Sequence, residues 1–527
     1  DMDRLVEILA QKIRKQVHIR IIGDYDVDGV TSSHLFLTAL RRVGAKVDVV
    51  IPHRIQDGYG LSLHLLQQAK EDGVDTILTC DNGIAAIDEI AWAKAQKMTV
   101  LVTDHHAVPF EEHEGRRTEK KSLADAVVNP HQQDCGYPYK ELCGAGVAWN
   151  VIRVLYENYD MDKREAEDLL DFVAMATVCD VMSLTGENRI LVKEGLKRIR
   201  HTKNIGLQAL MQACNVQPEN ISAYHFGYVL GPCVNATGRL DTARHALRLF
   251  ETGQETEAEE IARDLVDLNQ ERKELTLQGV EMAKKLCEEG GYENDPVLVL
   301  FLPDVHESIA GLIAGRIREM YNRPVFVLTR GEEGVKGSGR STENYSMYEN
   351  MCGCAELFTK FGGHPMAAGL SLPEENVEKF RRKINENCPL TVEEVCPDIH
   401  IDMAMPVGYA STELVHQFAL LEPFGKDNPS PLFADRNLSI SRMWLIGKNR
   451  NVLRMSVLSE YGQPVPVIFF GDVETLFAYF TEKFGQEEVE NALHGRKNRI
   501  LFSMVYTAKI DFYQGNENLQ LEMKYYR

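Results

Sequence analysis

No run of eighteen apolar residues occurs in the 527-residue chain, so no segment reads as a membrane-spanning helix. Nothing near residue 1 has the succession of charged, apolar and small residues that marks a signal peptide, so a cytoplasmic protein without membrane contact is expected. A disulfide framework is missing too, because the 11 cysteines are odd in number and irregular in spacing. Cys352 and Cys354 form a CxC pair with no second Cys/His pair at zinc-finger spacing, which leaves ordinary reduced thiols. Internal repeats and low-complexity segments are absent as well, which excludes solenoids and linker-like chains. Basic excess is also lacking: 58 Lys and Arg against 78 Asp and Glu give −20, which at first sight argues against a nucleic-acid partner. The deficit is uneven, since residues 435–527 hold 12 basic and 11 acidic residues, leaving −21 on the rest. Part of that acidity is readable as metal-binding carboxylate, and global charge does not exclude a local basic groove.

With 44% hydrophobic and 26% charged residues the composition is globular, and the length suggests three or four domains. Val17–Ile22, Val47–Ile51, Thr76–Thr79 and Thr99–Thr103 read as buried strands, with helices such as Val30–Val43 and Ile84–Gln96 between them. This alternation predicts a parallel sheet with covered faces. A mostly helical stretch is predicted from Glu165 to about residue 230. Ile261, Leu265, Leu268, Leu275, Met282 and Leu286 mark one face of a long helix over Glu255–Glu289, stopped by Gly290-Gly291. A second α/β pattern follows, with strands at Val297–Leu302 and Pro324–Leu328. The tail from about 437, with Val465–Phe470 and Leu501–Lys509, suits a small barrel.

The chemistry is in the placing of the carboxylates. The first strand ends in Gly23-Asp24-Tyr25-Asp26-Val27-Asp28-Gly29, the third in Cys80-Asp81-Asn82-Gly83, the fourth in Asp104-His105-His106. Ligands of open parallel sheets gather at the carboxyl ends of strands, so these loops are expected to converge. Asp180, after the helical run Phe172–Cys179, can join them. So many carboxylates in one crevice repel and desolvate one another unless cations are present. Oxygen-dominated ligands with one or two imidazoles suit two Mn²⁺ or Mg²⁺ ions, the arrangement of two-metal phosphoryl transfer. Taken singly, each loop is also an ordinary turn. A calcium loop is excluded, because the twelfth position holds Leu35 where an EF-hand needs Glu.

GDYDVDG, DNG, the 104–106 triplet and Asp180 in ATVCDVM together resemble the four motifs of DHH phosphoesterases. The likeness continues through IPHRIQDGYG (51–60), VVNPHQQDCGYPYKELCGAGVAW (127–149), GENRILVKEGL (186–196) and NATGRL (235–240). KGSGRS (336–341), FGGHPMAAGL (361–370) and LEPFGKDNPSP (421–431) resemble RecJ exonucleases in particular. The resemblance implies an α/β fold: a parallel-sheet DHH domain with a helical extension over 1–240 and a long connector helix over 241–291. An α/β DHHA1 domain over 292–397 and an OB-like barrel over 398–527 would complete it. It would place Asp26, Asp28, Asp81, His105 and Asp180 around two divalent cations, with Asp81 bridging and Asp24 as a further ligand or an orienter. His106 would face the scissile phosphate, and Asp104 would orient a histidine. Arg54, Arg239, Ser338, Arg340, His364, Gly362 and Gly363 would meet the substrate.

The activity implied is hydrolysis of single-stranded DNA from its 5′ end to 5′-mononucleotides, by a monomer. The partners the reading admits are single-stranded DNA, a helicase and a single-strand-binding protein. Trp444, Phe469, Phe470, Tyr506, Phe512 and Tyr513 are candidate stacking residues in the tail, although most aromatics of a small barrel are core. Three departures stand out. The family usually carries a segment before the position where this chain starts. Its WHEG motif is Val305-His306-Glu307-Ser308 here, and its GxGNP is Gly425-Lys426-Asp427-Asn428-Pro429. Two other readings remain open: a phosphodiesterase for short oligonucleotides or cyclic dinucleotides, which would not need the tail, and a non-catalytic Cdc45-like scaffold, which would not need the ligands.

Overall fold

The short apolar runs fold as β1 (Ile19–Ile22), β2 (Val47–Val50), β3 (Thr76–Cys80) and β4 (Thr99–Thr103), followed by β5 (Ala126–Val128). All pair in parallel, in the order β2-β1-β3-β4-β5. Every residue of β1 and β3 is buried, which is why these strands read as continuous apolar runs instead of alternating ones. Helices α1 (Met2–Arg14), α2 (Val27–Arg42) and α3 (Gly144–Asn158) pack on one face through Leu5, Val30, Leu37 and Val151. Two shorter helices cover the other face through Leu66 and Ile90, against Ile77 and Val100. The chain leaves β1 toward β2 and leaves β3 toward β4, in opposite directions. That switch opens a crevice at the carboxyl ends of β1 and β3.

This computed structural model describes residues 1–54, 57, 60–113, 116–240, 242–331, 334–390, 399–447, 450–513 and 516–527. The motif positions Ile55, Gln56, Gly58 and Tyr59 lie outside them, as do the side chains of Phe512 and Tyr513. The chain forms two compact units, Asp1–Pro397 and Asp398–Arg527.

The helical stretch begins earlier than predicted, at α3, and continues through α4 (Leu170–Cys179), α5 (Ile205–Ala213) and α6 (Gly231–Leu240). The long helix, α7 (Glu255–Gly290), runs 36 residues to Gly291, whose φ of 68° gives a left-handed cap. Its buried face differs from the predicted stripe. Ile261 and Leu265 are buried, but Met282 is 42% exposed, and Val280, Ala283 and Cys287 are buried in its place. A strict seven-residue spacing slips back about 20° per heptad on a straight helix, so Leu268, Leu275 and Met282 walk off the buried side. The first half of α7 packs in the core of the parallel sheet and the second half against a second sheet.

That second sheet has the order β9-β10-β8-β7-β6, built from β6 (Leu298–Phe301), β7 (Val325–Gly331), β8 (Gly334–Arg340), β9 (Lys360–His364) and β10 (Ala367–Leu372). Only β6 and β7 run parallel; the others are antiparallel. KGSGRS and FGGHP are therefore strand segments and not tight turns. Between β6 and β7, α8 (Ala310–Tyr321) covers one face through Ile313 and Ile317.

In the second unit, β11 (Met403–Ala404), β12 (Phe433–Ile446), β13 (Val452–Leu458), β14 (Pro464–Phe469), β15 (Leu501–Tyr513) and β16 (Asn516–Tyr526) form one sheet. Pairing of β12 with β15 closes it into a five-stranded barrel that β11 extends. Two helices not predicted from sequence, α9 (Val473–Phe484) and α10 (Gln486–Leu493), bury Leu476, Phe480 and Ala492 against Phe502. Asp427 has φ 60°, the left-handed region that a glycine enters freely, so the departure from the family's GxGNP places a residue with a Cβ where the backbone favours glycine.

Candidate active site

Three loops and a helix end bring the carboxylates together. Asp26 is the N-cap of α2, accepting from the Gly29 amide at 3.0 Å. Asp28, two residues on in the first turn, accepts from the amides of Gly144 (2.6 Å) and Ala145 (2.8 Å). Those amides begin α3, where the helix's partial positive charge favours a carboxylate. Gly144 has to be glycine here, since a Cβ would stand 2.6 Å from that of Asp81. Asp81 itself has φ 61°, and Val181, beside Asp180, has φ 55°; both are left-handed and costly for residues with a Cβ. Asn82 donates to the carbonyls of Ile22 (3.0 Å) and Cys80 (2.9 Å), tying the ends of β1 and β3.

His105 is the hub. Its Nε2 lies 3.1 Å from Asp81, 3.6 Å from Asp180 and 3.7 Å from Asp28. Three ligand groups, each with its atoms within 4.8 Å, result: Asp81 with His105 and His106, Asp28 with His105 and Asp180, and Asp24 with Asp26 and Asp81. Burial and then Asp26 push the Asp24 carboxyl well above the usual range, and burial with Asp28 does the same for Asp81. Burial lowers His105, keeping its imidazole neutral, the state that ligates metal. Among the described residues, the buried Asp24 Oδ1 and His105 Nε2 have no hydrogen-bond partner. Crowded carboxylates, a neutral imidazole and unsatisfied donor atoms fit divalent cations, and an oxygen-rich set fits Mn²⁺ or Mg²⁺.

Asp104 is differently engaged. Its Oδ1 accepts from the amides of His105 (2.7 Å) and His106 (3.1 Å) and lies 2.8 Å from His106 Nδ1, while Oδ2 accepts from Ile84 N at 2.9 Å. With both oxygens occupied, it orients His106. Burial alone would lower His106, but Asp104 and the other carboxylates push it up to about 9.

Beside this acidic crevice lies a basic one. Arg54, Arg239 and Arg340 crowd one another. Burial, then Arg54, lowers both of the others, Arg239 to about 10. Arg54 also faces Asp24 and stacks 4.9 Å over Tyr25, so the two clusters adjoin. Arg239 donates to the Ser308 carbonyl at 2.6 Å and Arg340 to its own Gly339 carbonyl at 2.7 Å. A Cβ at Gly311 would stand 2.8 Å from the Arg340 guanidinium, so the bare start of α8 leaves that side chain room where it lies. A cavity of about 440 Å³ is lined by Tyr25, Arg54, Ser338, Gly362, Glu307 and Lys336, among others. A neighbouring one of about 330 Å³ takes Arg54, Arg239, His53 and His306. Arg340, which faces Arg54, and His364 and Gly363 line neither cavity. His364 is exposed, and a Cβ at Gly363 would strike the Ala367 carbonyl at 2.5 Å, so this glycine serves strand pairing. The altered VHES turn is intact: Ser308 Oγ lies 2.7 Å from His306 Nδ1, and Val305 is buried.

In the barrel, Trp444 is half-buried and has Arg442 at 5.7 Å and Arg454 at 5.9 Å from its ring. Phe470 is 58% exposed. Phe469 and Tyr506 are core, the Tyr506 hydroxyl donating to Met405 O at 2.8 Å.

Residues 18–177 match the DHH family N-terminal domain, 294–388 the DHHA1 domain and 401–525 the RecJ OB domain. The single-stranded-DNA-specific exonuclease RecJ of Haemophilus influenzae is 33% identical over 99% of this chain and 90% of its own length. The chain belongs to the RecJ family. The RecJ of Bacillus subtilis is also 33% identical, over 88% of the chain, although the chain spans only 57% of that relative. The crystal structure of Thermus thermophilus RecJ in complex with Mn²⁺ superimposes with a TM-score of 0.80 at 26% identity, covering all of this chain and 71% of that one. A RecJ family frame gives meaning to residues that sequence reasoning passed over. Asn235 accepts from Val27 N at 3.1 Å, Tyr25 lies under Arg54, and Lys336 pairs with Glu307 at 2.8 Å. All but Glu307 lie inside motifs already singled out, and Glu307 lies in the departure; what was missing was their contacts.

Proposed function

We propose that this chain hydrolyses single-stranded DNA from the 5′ end, releasing 5′-mononucleotides. The observation that carries the reading is the adjacency, within one unit, of a carboxylate cluster fit for two cations and an arginine cluster fit for a phosphate. Asp26, Asp28, Asp81, Asp180 and His105 hold the cations, Asp81 and His105 each belonging to two ligand groups, and Asp24 completes or orients the set. When bound, the cations supply the Lewis acidity that phosphodiester hydrolysis requires. Asp104 fixes the ring of His106, which in its protonated form donates to a phosphoryl oxygen as charge develops there. Arg54, Arg239, Ser338 and Arg340 receive the terminal 5′-phosphate, guanidinium groups being suited to bidentate grip. Gly362 keeps the cavity wall low, and His364, exposed at the end of β9, contacts the strand farther along. Trp444 between two arginines offers a base-stacking platform in the barrel.

The site is complete in one chain, which supports a monomer. A cleft that accepts one strand suits DNA presented by a helicase or a single-strand-binding protein. No disulfide joins the described cysteines, which fits a reducing cytoplasm. Among the described residues no helix is long and apolar enough to cross a membrane. Single strands labelled at either end, incubated with Mn²⁺ or Mg²⁺, test the proposal. Labelled mononucleotide released first from the 5′ end is expected. Release from the 3′ end, or no cleavage with either metal, contradicts it.

A further inference from the structure

Cys214, the C-cap of α5, and Cys233, in the first turn of α6, place their sulfur atoms 3.8 Å apart. Cys214 is partly exposed, whereas Cys233 is 2% exposed and receives a hydrogen bond from Asn269 Nδ2 at 3.4 Å. Asn269 in turn accepts from Arg272 at 2.9 Å, so α7 braces the buried sulfur. One thiol within reach of solvent and one held behind it is the arrangement of an attacked and a resolving cysteine. The contact with Cys233, and then the charge of Lys273, lower the Cys214 thiol from its ordinary value.

The helix that carries Cys233 also makes one hydrogen bond to each cluster of the site. Asn235 holds the amide of Val27 at the acidic loop, and Arg239 holds the Ser308 carbonyl beside the basic cavity. Cys233 and Asn235 are two positions apart, so drawing the sulfur toward α5 turns the segment on which both links depend. A disulfide needs its sulfur atoms about 2.05 Å apart, so closure requires a movement of nearly 2 Å shared between α5 and α6.

We propose that Cys214 and Cys233 form a peroxide-sensitive dithiol whose closure to a disulfide displaces α6 and weakens the arginine cavity. The Cys214 thiolate attacks hydrogen peroxide, breaking the O–O bond and giving a sulfenic acid. Cys233, losing its proton, attacks that sulfur; the S–S bond forms, the S–O bond breaks and the hydroxide leaves as water. Two thiols and one peroxide thus yield one disulfide and two waters, the sulfurs being oxidised and the peroxide reduced. A reducing compartment returns the pair to thiols, which makes the device reversible.

The test uses the full chain, reduced, freed of metal and then treated with hydrogen peroxide, beside a Cys214→Ser variant. Digestion without reductant followed by mass spectrometry reads the cross-link, and hydrogen exchange over 231–240 reads the displacement without any substrate. A linked Cys214–Cys233 peptide, faster exchange over 235–239 and no change in the variant are expected. Hydrolysis of a 5′-phosphorylated strand with Mn²⁺ restored rests on the proposed function. It should fall about tenfold and recover with dithiothreitol, the factor for partial loss of a charged contact. No linked peptide while other thiols oxidise overturns the proposal, as does a linked peptide with unchanged exchange. A reduced chain that hydrolyses nothing would contradict the proposed function instead, leaving the cross-link and the exchange to decide this one.

Discussion

The acidic crevice is a largely buried cluster of like charge and the arginine cavity a half-buried one, and they escape their own repulsion by different routes. Asp24, Asp26 and Asp81 are pushed above the usual carboxylate range, so without cations they shed charge by holding protons. Arg239, lowered to about 10, remains a cation at neutral pH. The arginines relieve their crowding only by contact with an anion, whereas the carboxylates have two remedies, a proton or a metal. The acidic side is therefore sensitive to pH and metal, and the basic side to the charge of the ligand.

The largest expected effect strikes the acidic side. Asp81→Asn should lower hydrolysis by about 10²-fold or more with either metal, several kcal/mol of transition-state stabilisation. A variant keeping more than about a tenth of the rate would show that Asp81 is not shared between ions. Chelation sharpens the contrast next. A carboxyl whose folded pKa is raised loses stability as pH rises through that pKa. The chelated chain should therefore melt lower at about pH 8 than at about pH 5.5, with Mn²⁺ restoring the difference and Asp81→Asn flattening it. Thermal melts in chelator that do not vary with pH would break the comparison.

Another buried carboxylate, outside both clusters, serves as a control. Burial pushes Asp171 up to about 6, despite bonds from Thr202 and the Phe172 amide. Its cost is absent below the unfolded value and complete above the folded one, so Asp171→Asn should stabilise at about pH 8 by up to about 3 kcal/mol and not near pH 4. Equal melting shifts at both pH values would contradict this. The smallest effect concerns backbone strain. Val181→Gly, relieving a β-branched residue at φ 55°, should stabilise by about 0.5–1 kcal/mol in melts.

Much of the acidic side was legible because the sheet dictates it: buried strands are continuous apolar runs, and Asp24–Asp28, Asp81 and Asp104–His106 follow directly at their ends. Less of the basic side was. Arg54, Arg239 and Arg340 stand in different motifs, and their convergence depends on α7 and on β8, a glycine-rich strand that reads locally as a turn. His364 and Gly363 share a motif with Gly362, yet alternation along β9 turns Gly363 to the other face, and His364 lies two residues farther along, at the end of the strand. The face of α7 was misplaced for a reason of period, a heptad spacing read onto a helix of 3.6 residues per turn. The barrel helices α9 and α10 stayed hidden because their apolar spacing lies inside a stretch otherwise alternating like strands.

On the proposed function, the arginine cavity holds the 5′-phosphate while the neighbouring carboxylates position the first linkage. Steady-state kinetics of the wild type and Arg340→Ala on strands with a 5′-phosphate and with a 5′-hydroxyl test it most directly. Arg340→Ala should cost about 1.5–3 kcal/mol in kcat/KM on the phosphorylated strand, the range for a hydrogen bond to a charged group, and much less on the hydroxyl strand. Equal losses on both strands would remove Arg340 from the 5′-phosphate site and contradict the account.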